Sequence, residues 1–376
     1  MDNGLRKASI EKIAAGGAGL ARIDGKAAFI EGSAAGETVL CRITKEHRSW
    51  VQAELAEIVE PSPYRVPPAC GLYRRCGGCN FQHLVYEAQI AAKTAILEEA
   101  FARIGNFRPP RPLVFPSKPW EYRNRMQFHA ATDGSWGLKA RKNSEIVPIY
   151  DCPIADPGIQ ALLKAPPAPP AQERFAVYAR DGLFLSENGI RQGKTSVLGR
   201  ELALDIGAFF QSNGAMLEKL IAGLLEIAAA ADRSLPMADL YCGVGTFAAF
   251  LGELFPHVDL VEENKTALAL ARKNLAHHKS ADFFAQSSGD WAKNAPPRSY
   301  GFICADPPRQ GLDPDLARRL AADGPPLLAY VSCDPATLAR DSKVLLKGGY
   351  GLKELRLYDF YPQTAHIESL ALFARP

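Results

Sequence analysis

No apolar run in the 376 residues approaches the roughly 20 that a membrane-spanning helix requires, so a membrane partner is not expected. The opening stretch MDNGLRKASI has no apolar signal core, which predicts a cytoplasmic protein. In a reducing compartment the eight cysteines are expected to be metal ligands, catalysts or packing groups rather than disulfides. A large charge excess is missing too: the formal net charge is only +3. Nothing marks an obligate protein partner. A hydrophobic content of 47% is enough for a large core and two or three domains.

The small net charge hides an asymmetry. Residues 1–60 sum to −1, residues 61–150 to +7 and the remainder to −3. A basic middle segment of that size suits a polyanion such as RNA, although Arg is also common on soluble surfaces. Residues 1–58 read as short strands with turns at Gly16-Gly17, Asp24-Gly25 and Ala35-Gly36, the pattern of a small closed β-barrel. Pro61, Pro63, Pro67 and Pro68 form a linker. A central α+β domain, residues 59–205, opens with clustered cysteines and a helix near 84–104. Hairpins follow around Asp133-Gly134 and Asp181-Gly182, and the run APPAPPA at 165–171 is a surface loop. From 206 to 376 strands and helices alternate. Asn213 is a helix N-cap, and strands at 237–241, 257–261, 300–305 and 327–332 predict a doubly wound, mostly parallel α/β sheet. The last strands, near 352–359 and 366–374, are too close for a crossover helix and should form an antiparallel hairpin.

Asp239-Leu-Tyr241-Cys-Gly243-Val-Gly245-Thr246-Phe247 joins a strand to a helix, and its glycines allow backbone to approach a ligand. Glu262 ends the next strand, where a carboxylate can accept hydrogen bonds from ribose hydroxyls. The loop lacks the full G-x-G-x-x-G that pyrophosphate binding favours, so a nucleoside without phosphates, such as S-adenosylmethionine, fits better. A structural turn with a surface Glu is the plain alternative. Asp306-Pro-Pro-Arg309 and Ser332-Cys333-Asp334-Pro335 end the following strands, and His366-Ile-Glu368 opens the last. Ligands of open α/β sheets bind at the carboxyl ends of strands, which places Asp306 and Cys333 beside the cofactor. There a thiolate can act as nucleophile and Glu368 as general base. A strand-end cysteine is more often packing, and Cys242 and Cys304 are read that way.

These residues carry a resemblance. Phe210-Gln-Ser-Asn213, the 239–247 loop, Asp306–Arg309, Tyr330-Val-Ser-Cys-Asp-Pro-Ala-Thr-Leu-Ala-Arg-Asp341 and Asp359-Phe-Tyr-Pro-Gln-Thr-Ala-His-Ile-Glu-Ser369 resemble the uridine-5 methyltransferases of ribosomal and transfer RNA. The resemblance implies a Rossmann-like methyltransferase sheet, Cys333 as nucleophile and Glu368 as base. It implies that Gln211, Tyr241, Thr246, Glu262 and Asp306 line S-adenosylmethionine, together with Gly243 and Gly245. Which residue of Gln286–Asp290 meets the adenine stays open. The implied chemistry suits the residue types: addition of the thiolate to carbon 6 of uracil makes carbon 5 nucleophilic toward the sulfonium methyl, on an unpaired or flipped base.

Cys70, Cys76, Cys79 and the remote Cys152 offer four thiolates, which suit zinc or an iron–sulfur cluster; their spacing decides for neither. Ribosomal members of the family with this pattern carry a four-iron, four-sulfur cluster, and the resemblance implies one here. The N-terminal segment likewise resembles the TRAM domain, a small RNA-binding barrel, but its near-neutral charge points to shape or stacking contacts through Phe29 or Trp50. Arg74, Arg75 and Tyr122-Arg123-Asn124-Arg125 are candidate RNA contacts. Together the features favour 23S rRNA over tRNA as partner. An adenine amino-methyltransferase would also use Asp-Pro-Pro but needs no thiol. A non-catalytic RNA-binding module would need neither the glycine loop nor Cys333.

Overall fold

Dipeptides of the Asp-Gly type set the first sheet. Asp24 and Gly25 both adopt positive φ, the tight two-residue turn that suits the right-handed twist of paired strands. The computed structural model describes residues 4–165, 172–294 and 298–375, so most of the 165–171 proline run lies outside the described residues. The chain divides into two compact units, one of residues 1–96, 138–147 and 361–366, the other of 97–137, 148–360 and 367–376. No described helix is long and apolar enough to cross a membrane.

In the first unit six strands run β1 Leu5–Ser9, β2 Lys12–Ile13, β3 Gly19–Ile23, β4 Lys26–Glu31, β5 Thr38–Glu46 and β6 Trp50–Glu60. Their order is β1-β5-β6-β4-β3-β2, with β4 and β6 parallel and the other pairs antiparallel. Alternate residues, among them Ala21, Ile23, Ala28, Ile30, Val39, Cys41, Val51 and Ala53, fill one core. The buried Glu37 carboxylate is held by Arg65 and by the Ala34 amide. Helix α1, Tyr86–Ala100, follows and ends in a π-turn, Phe101–Gly105, closed by Asn106 at φ 61°. Within this unit Gln89 and Gln363 pair: the Gln89 amide nitrogen donates to Gln363 Oε1 at 3.0 Å, and the Gln363 backbone N–H donates to Gln89 Oε1 at 2.8 Å. The fully buried Lys93 ammonium donates to the Tyr361 carbonyl at 2.9 Å.

Next along the chain come β7 Leu113–Phe115, β8 Arg125–Ala130, β9 Trp136–Lys139, β10 Ile146–Pro148, helix α2 Pro157–Lys164, β11 Arg174–Arg180, β12 Leu183–Ser186, β13 Gln192–Val197 and β14 Arg200–Asp205. Strands β10-β9-β8-β11-β12 form a five-stranded sheet, and β13 and β14 a separate hairpin. The expected turns at 133–134 and 181–182 are present. The β13–β14 hairpin was not expected, because Leu198 and Gly199 make its turn and Leu198, at φ 46°, is an unusual residue there.

The remaining elements are α3 Gly214–Ala229, β15 Met237–Leu240, α4 Ala248–Leu251, β16 Val258–Val261, α5 Lys265–Asn274, β17 Ala281–Phe284, α6 Ser288–Asn294, β18 Phe302–Ala305, α7 Pro314–Asp323, β19 Leu327–Ser332, α8 Pro335–Lys347, β20 Gly351–Tyr358 and β21 Glu368–Ala374. They build an eight-stranded sheet ordered β17-β16-β15-β18-β19-β21-β20-β7. β15 to β19 are parallel, and β21 runs antiparallel to both β19 and β20. This is the doubly wound sheet with a terminal antiparallel hairpin that the sequence predicts. Asn213 caps α3 as expected, its side chain accepting from the Met216 amide. The edge strand β7 is an addition from far upstream.

Candidate active site

The carboxyl ends of β15, β16, β18 and β19 meet the first residue of β21. β15 is wholly buried, yet its third residue is Asp239, whose Oδ2 accepts from the Ala248 amide at 2.9 Å while Oδ1 has no partner. Burial pushes the Asp239 carboxyl up to about 8. The loop that follows turns through positive φ at Tyr241, Gly243 and Gly245. A Cβ on Gly245 would lie 3.0 Å from the Ala271 Cβ, so only glycine lets the loop pack on α5; above Gly243 the space is open. Glu262, just past β16, holds this loop: its Oε2 accepts from the Gly243 amide at 3.0 Å and its Oε1 from the Asn264 amide at 2.7 Å. Each oxygen keeps a second lone pair for a ligand hydroxyl. The Tyr241 hydroxyl accepts from the Asp313 amide at 3.0 Å. Open space over Gly243, the aimed carboxylate of Glu262 and the unpartnered Asp239 oxygen fit a phosphate-free nucleoside with donor hydroxyls.

Asp306 follows β18, and its amide donates to the Leu240 carbonyl at 3.2 Å. Cys333 follows β19 and precedes Asp334, which caps α8 by accepting from the Ala336 and Thr337 amides at 2.9 and 3.0 Å. Ser332 pairs with Ser369 across β19 and β21, and one further step of that antiparallel register sets Cys333 beside Glu368. Glu368 is 4% exposed and also pairs with Tyr358 of β20. Asp341 ties the loops together: it accepts from the Tyr330 hydroxyl and the Leu312 amide, each at 2.8 Å.

The electrostatics follow from three acids and one cation. Burial first, then the charges of Glu368 and Asp306, push the Cys333 thiol up to about 12, with Arg309 opposing. Burial raises Asp306 to about 7. Burial, and then Asp306, push Glu368 well above the usual carboxylate range, again opposed by Arg309. A cation arriving beside these groups favours the thiolate of Cys333 and the carboxylate of Glu368.

The sequence-predicted residues Tyr241, Gly243, Gly245, Thr246, Glu262, Asp306, Cys333 and Glu368 thus lie on the carboxyl-end loops of one sheet or at the start of β21. Gln211 is buried, and its Oε1 has no partner. Of the expected RNA contacts, Arg125 donates to the Ile206 carbonyl at 2.8 Å and lies 6.0 Å from the ring of Phe209, itself 63% exposed. Asn124 is 1% exposed, and neither side-chain polar atom has a partner. Sequence reasoning assigned no role to Asp239, Arg309 or Asp341; an acid inside a four-residue apolar strand was the available signal for Asp239. The His257–Asp259–Asp282 group at the opposite strand ends is an ion-pair network, because Arg298 donates to both carboxylates.

The comparisons agree with this geometry. The family described as tRNA (Uracil-5-)-methyltransferase matches residues 298–375, and the methyltransferase small domain matches 220–329. An RNA methyltransferase of Treponema denticola is 34% identical over 94% of each chain. The 23S rRNA (uracil(1939)-C(5))-methyltransferase RlmD of Pseudomonas fluorescens is 31% identical, covering 98% of this chain and 94% of that one. The structure of a Pyrococcus abyssi tRNA (uracil-54, C5)-methyltransferase with S-adenosyl-L-homocysteine superposes with a TM-score of 0.77 at 22% identity, over 98% of this chain and 100% of that one, and shows the same fold. With full-length relatives above 30% identity and its glycine loop, thiol and glutamate on one sheet end, the chain belongs to the S-adenosylmethionine-dependent RNA uracil-C5 methyltransferases.

Proposed function

We propose that the chain methylates carbon 5 of a uridine in 23S ribosomal RNA through a covalent bond from Cys333 to carbon 6. The observation that carries this reading is the β19–β21 register, which sets a thiol beside a buried glutamate next to the glycine loop. The names of the RlmD relatives support ribosomal RNA; that of the archaeal structure supports transfer RNA as the second reading.

The Cys333 thiol gives its proton to water, the thiolate adds to carbon 6, and the displaced electron pair makes carbon 5 nucleophilic. S-adenosylmethionine supplies an electrophilic methyl group, which carbon 5 takes. The Glu368 carboxylate removes the carbon-5 proton. That electron pair restores the 5,6 double bond as the sulfur leaves. Glu262, Tyr241, Thr246, Asp306 and Gln211 would hold the nucleoside and amino-acid ends of the cofactor. Arg123, Asn124 and Arg125 would hold RNA. The unpartnered amide of Asn124 offers one donor and one acceptor, the complement of a uracil N3–H and carbonyl edge.

Cys70, Cys76, Cys79 and Cys152 are proposed as ligands of a four-iron, four-sulfur cluster. None is in a disulfide, and the Gly78 amide points at Cys76 Sγ at 3.3 Å, the kind of hydrogen bond that stabilises a ligating thiolate. Residues 1–58 are read as a TRAM-like RNA-binding barrel, 59–205 as the cluster-bearing domain and 206–376 as the methyltransferase domain of a cytoplasmic enzyme.

Mapping 5-methyluridine in 23S rRNA and tRNA from a strain lacking the gene tests the reading. Loss at the equivalent of position 1939 is expected. Loss in tRNA alone selects the second reading, and no loss in either overturns both.

A further inference from the structure

The first unit contains a cleft of about 780 Å³, walled by the Gly16-Gly17 turn, by Phe29 of β4 and Gln52 of β6, by Trp50 at the start of β6, and by Asn80 and Arg141. That volume lies in the range of ligand-binding clefts. Its aromatic groups are fixed before any ligand arrives. The His47 ring stacks on the Trp50 indole at 3.8 Å, and Phe29 meets that indole edge-on at 5.7 Å. Both Phe29 and Trp50 remain partly exposed where the cleft opens. The glycine wall is fixed as well. The Asn80 amide donates to the Gly16 carbonyl at 3.0 Å, and a Cβ on Gly17 would come within 2.7 Å of the same amide. Arg141 donates to the Tyr73 and Cys79 carbonyls, lies over the Tyr73 ring, and keeps a buried Nε without a partner.

Resting on the reading of residues 1–58 as RNA-binding, we infer that this cleft takes a second, non-target nucleobase of the RNA, unpaired and stacked on the Trp50 indole, with Phe29, nearly perpendicular to that ring, at the edge of the base. A base fits better than a phosphate. The barrel segment is net −1, and Glu31 shares the lining with Arg141, so the cleft has no cationic surplus for a polyanion. It offers instead ring faces, the Gln52 amide and glycine backbone, which serve stacking and edge contacts. Preset rings lose little freedom on binding, which favours a flat ligand. The site therefore contributes affinity that depends little on salt, apart from the basic middle segment, whose contribution depends strongly on it.

The test uses the whole enzyme and an RNA fragment containing the target uridine. Trp50→Leu should raise KM about 10- to 100-fold and leave kcat within about twofold, the loss expected for one stacked base. Trp50→Phe should recover most of it. The slope of log affinity against log salt should not change. Single abasic replacements through the RNA should reveal one position, distinct from the target, whose loss weakens wild type but not Trp50→Leu. Phe29→Leu serves as a second variant, and an unchanged circular dichroism spectrum and melting curve check that each variant is folded. Unchanged KM in both variants overturns the inference, as does an abasic scan in which no position distinguishes wild type from Trp50→Leu. A defect seen only on intact ribosomal particles would assign the cleft to a protein partner and would equally overturn it.

Discussion

The Cys333 thiol, pushed up to about 12 in the resting enzyme, should be nearly inert. At pH 8 a thiol with that value is ionised in about one molecule in ten thousand, against about one in ten for a cysteine at its ordinary 9.0. The full shift would slow alkylation about a thousandfold; solvent screening at a half-buried site trims the Coulomb part, so about a hundredfold is the working figure. The assay is iodoacetamide labelling from pH 6.5 to 10.5, with the Cys333 peptide quantified by mass spectrometry. Labelling should climb throughout and show no plateau below pH 10. Arg309→Gln should slow it, because the opposing cation is lost. Glu368→Gln should speed labelling wherever the wild-type carboxylate is ionised, because that charge opposes formation of the thiolate. S-adenosylmethionine, a sulfonium cation, should quicken labelling more than S-adenosylhomocysteine. A plateau with a midpoint at or below 9 would refute the argument that burial and two acids suppress the thiol.

Cys333→Ala should abolish transfer and form no adduct, whereas Glu368→Gln should accumulate a covalent protein–RNA species visible as a shifted band on a denaturing gel; normal turnover by Glu368→Gln would remove it as base. Glu262→Ala should weaken S-adenosylmethionine binding about 10-fold, the loss of a charge-assisted hydrogen bond, measured by calorimetry. It should also loosen the loop whose Gly243 amide it accepts from, so Glu262→Gln is the milder control. Protein purified without oxygen should contain about four irons per chain and lose them in Cys79→Ser; stoichiometric zinc instead would end the cluster proposal. RNA affinity should fall steeply with salt, and a flat dependence would show that the basic middle segment is not the RNA face.

What the sequence made legible follows from local rules. Asp24-Gly25 and Asp181-Gly182 announce their turns because Asp and Gly tolerate positive φ; Leu198-Gly199 makes the same turn without that signal. Asp313-Pro314 and Asp334-Pro335 announce α7 and α8 as cap and first residue. The proposed catalytic pair was legible as motifs, but its register was not, because β19 and β21 lie more than thirty residues apart and pair only in the folded sheet. For the same reason β7 escaped notice: three residues with no periodicity join β20 from far upstream. The role of Asp341 as tie between Tyr330 and Leu312 depends on tertiary contacts that no local pattern encodes.

The Gln89–Gln363 pair has a consequence for biosynthesis. Its partners are 274 residues apart, and Lys93 waits on a carbonyl 268 residues away. During translation the first unit is nearly complete in sequence long before residues 361–366 are made. Until then the Gln89 amide has only the Leu84 carbonyl as acceptor and misses Gln363, and the Lys93 ammonium misses the Tyr361 carbonyl, which disfavours their final packing. The six-stranded core can form early, because its contacts are local, but the α1 surface that carries these two groups must stay hydrated until the last turn of the ribosome's work. A nascent chain stalled near residue 350 should accordingly protect the six-stranded core from protease while leaving α1 open to cleavage.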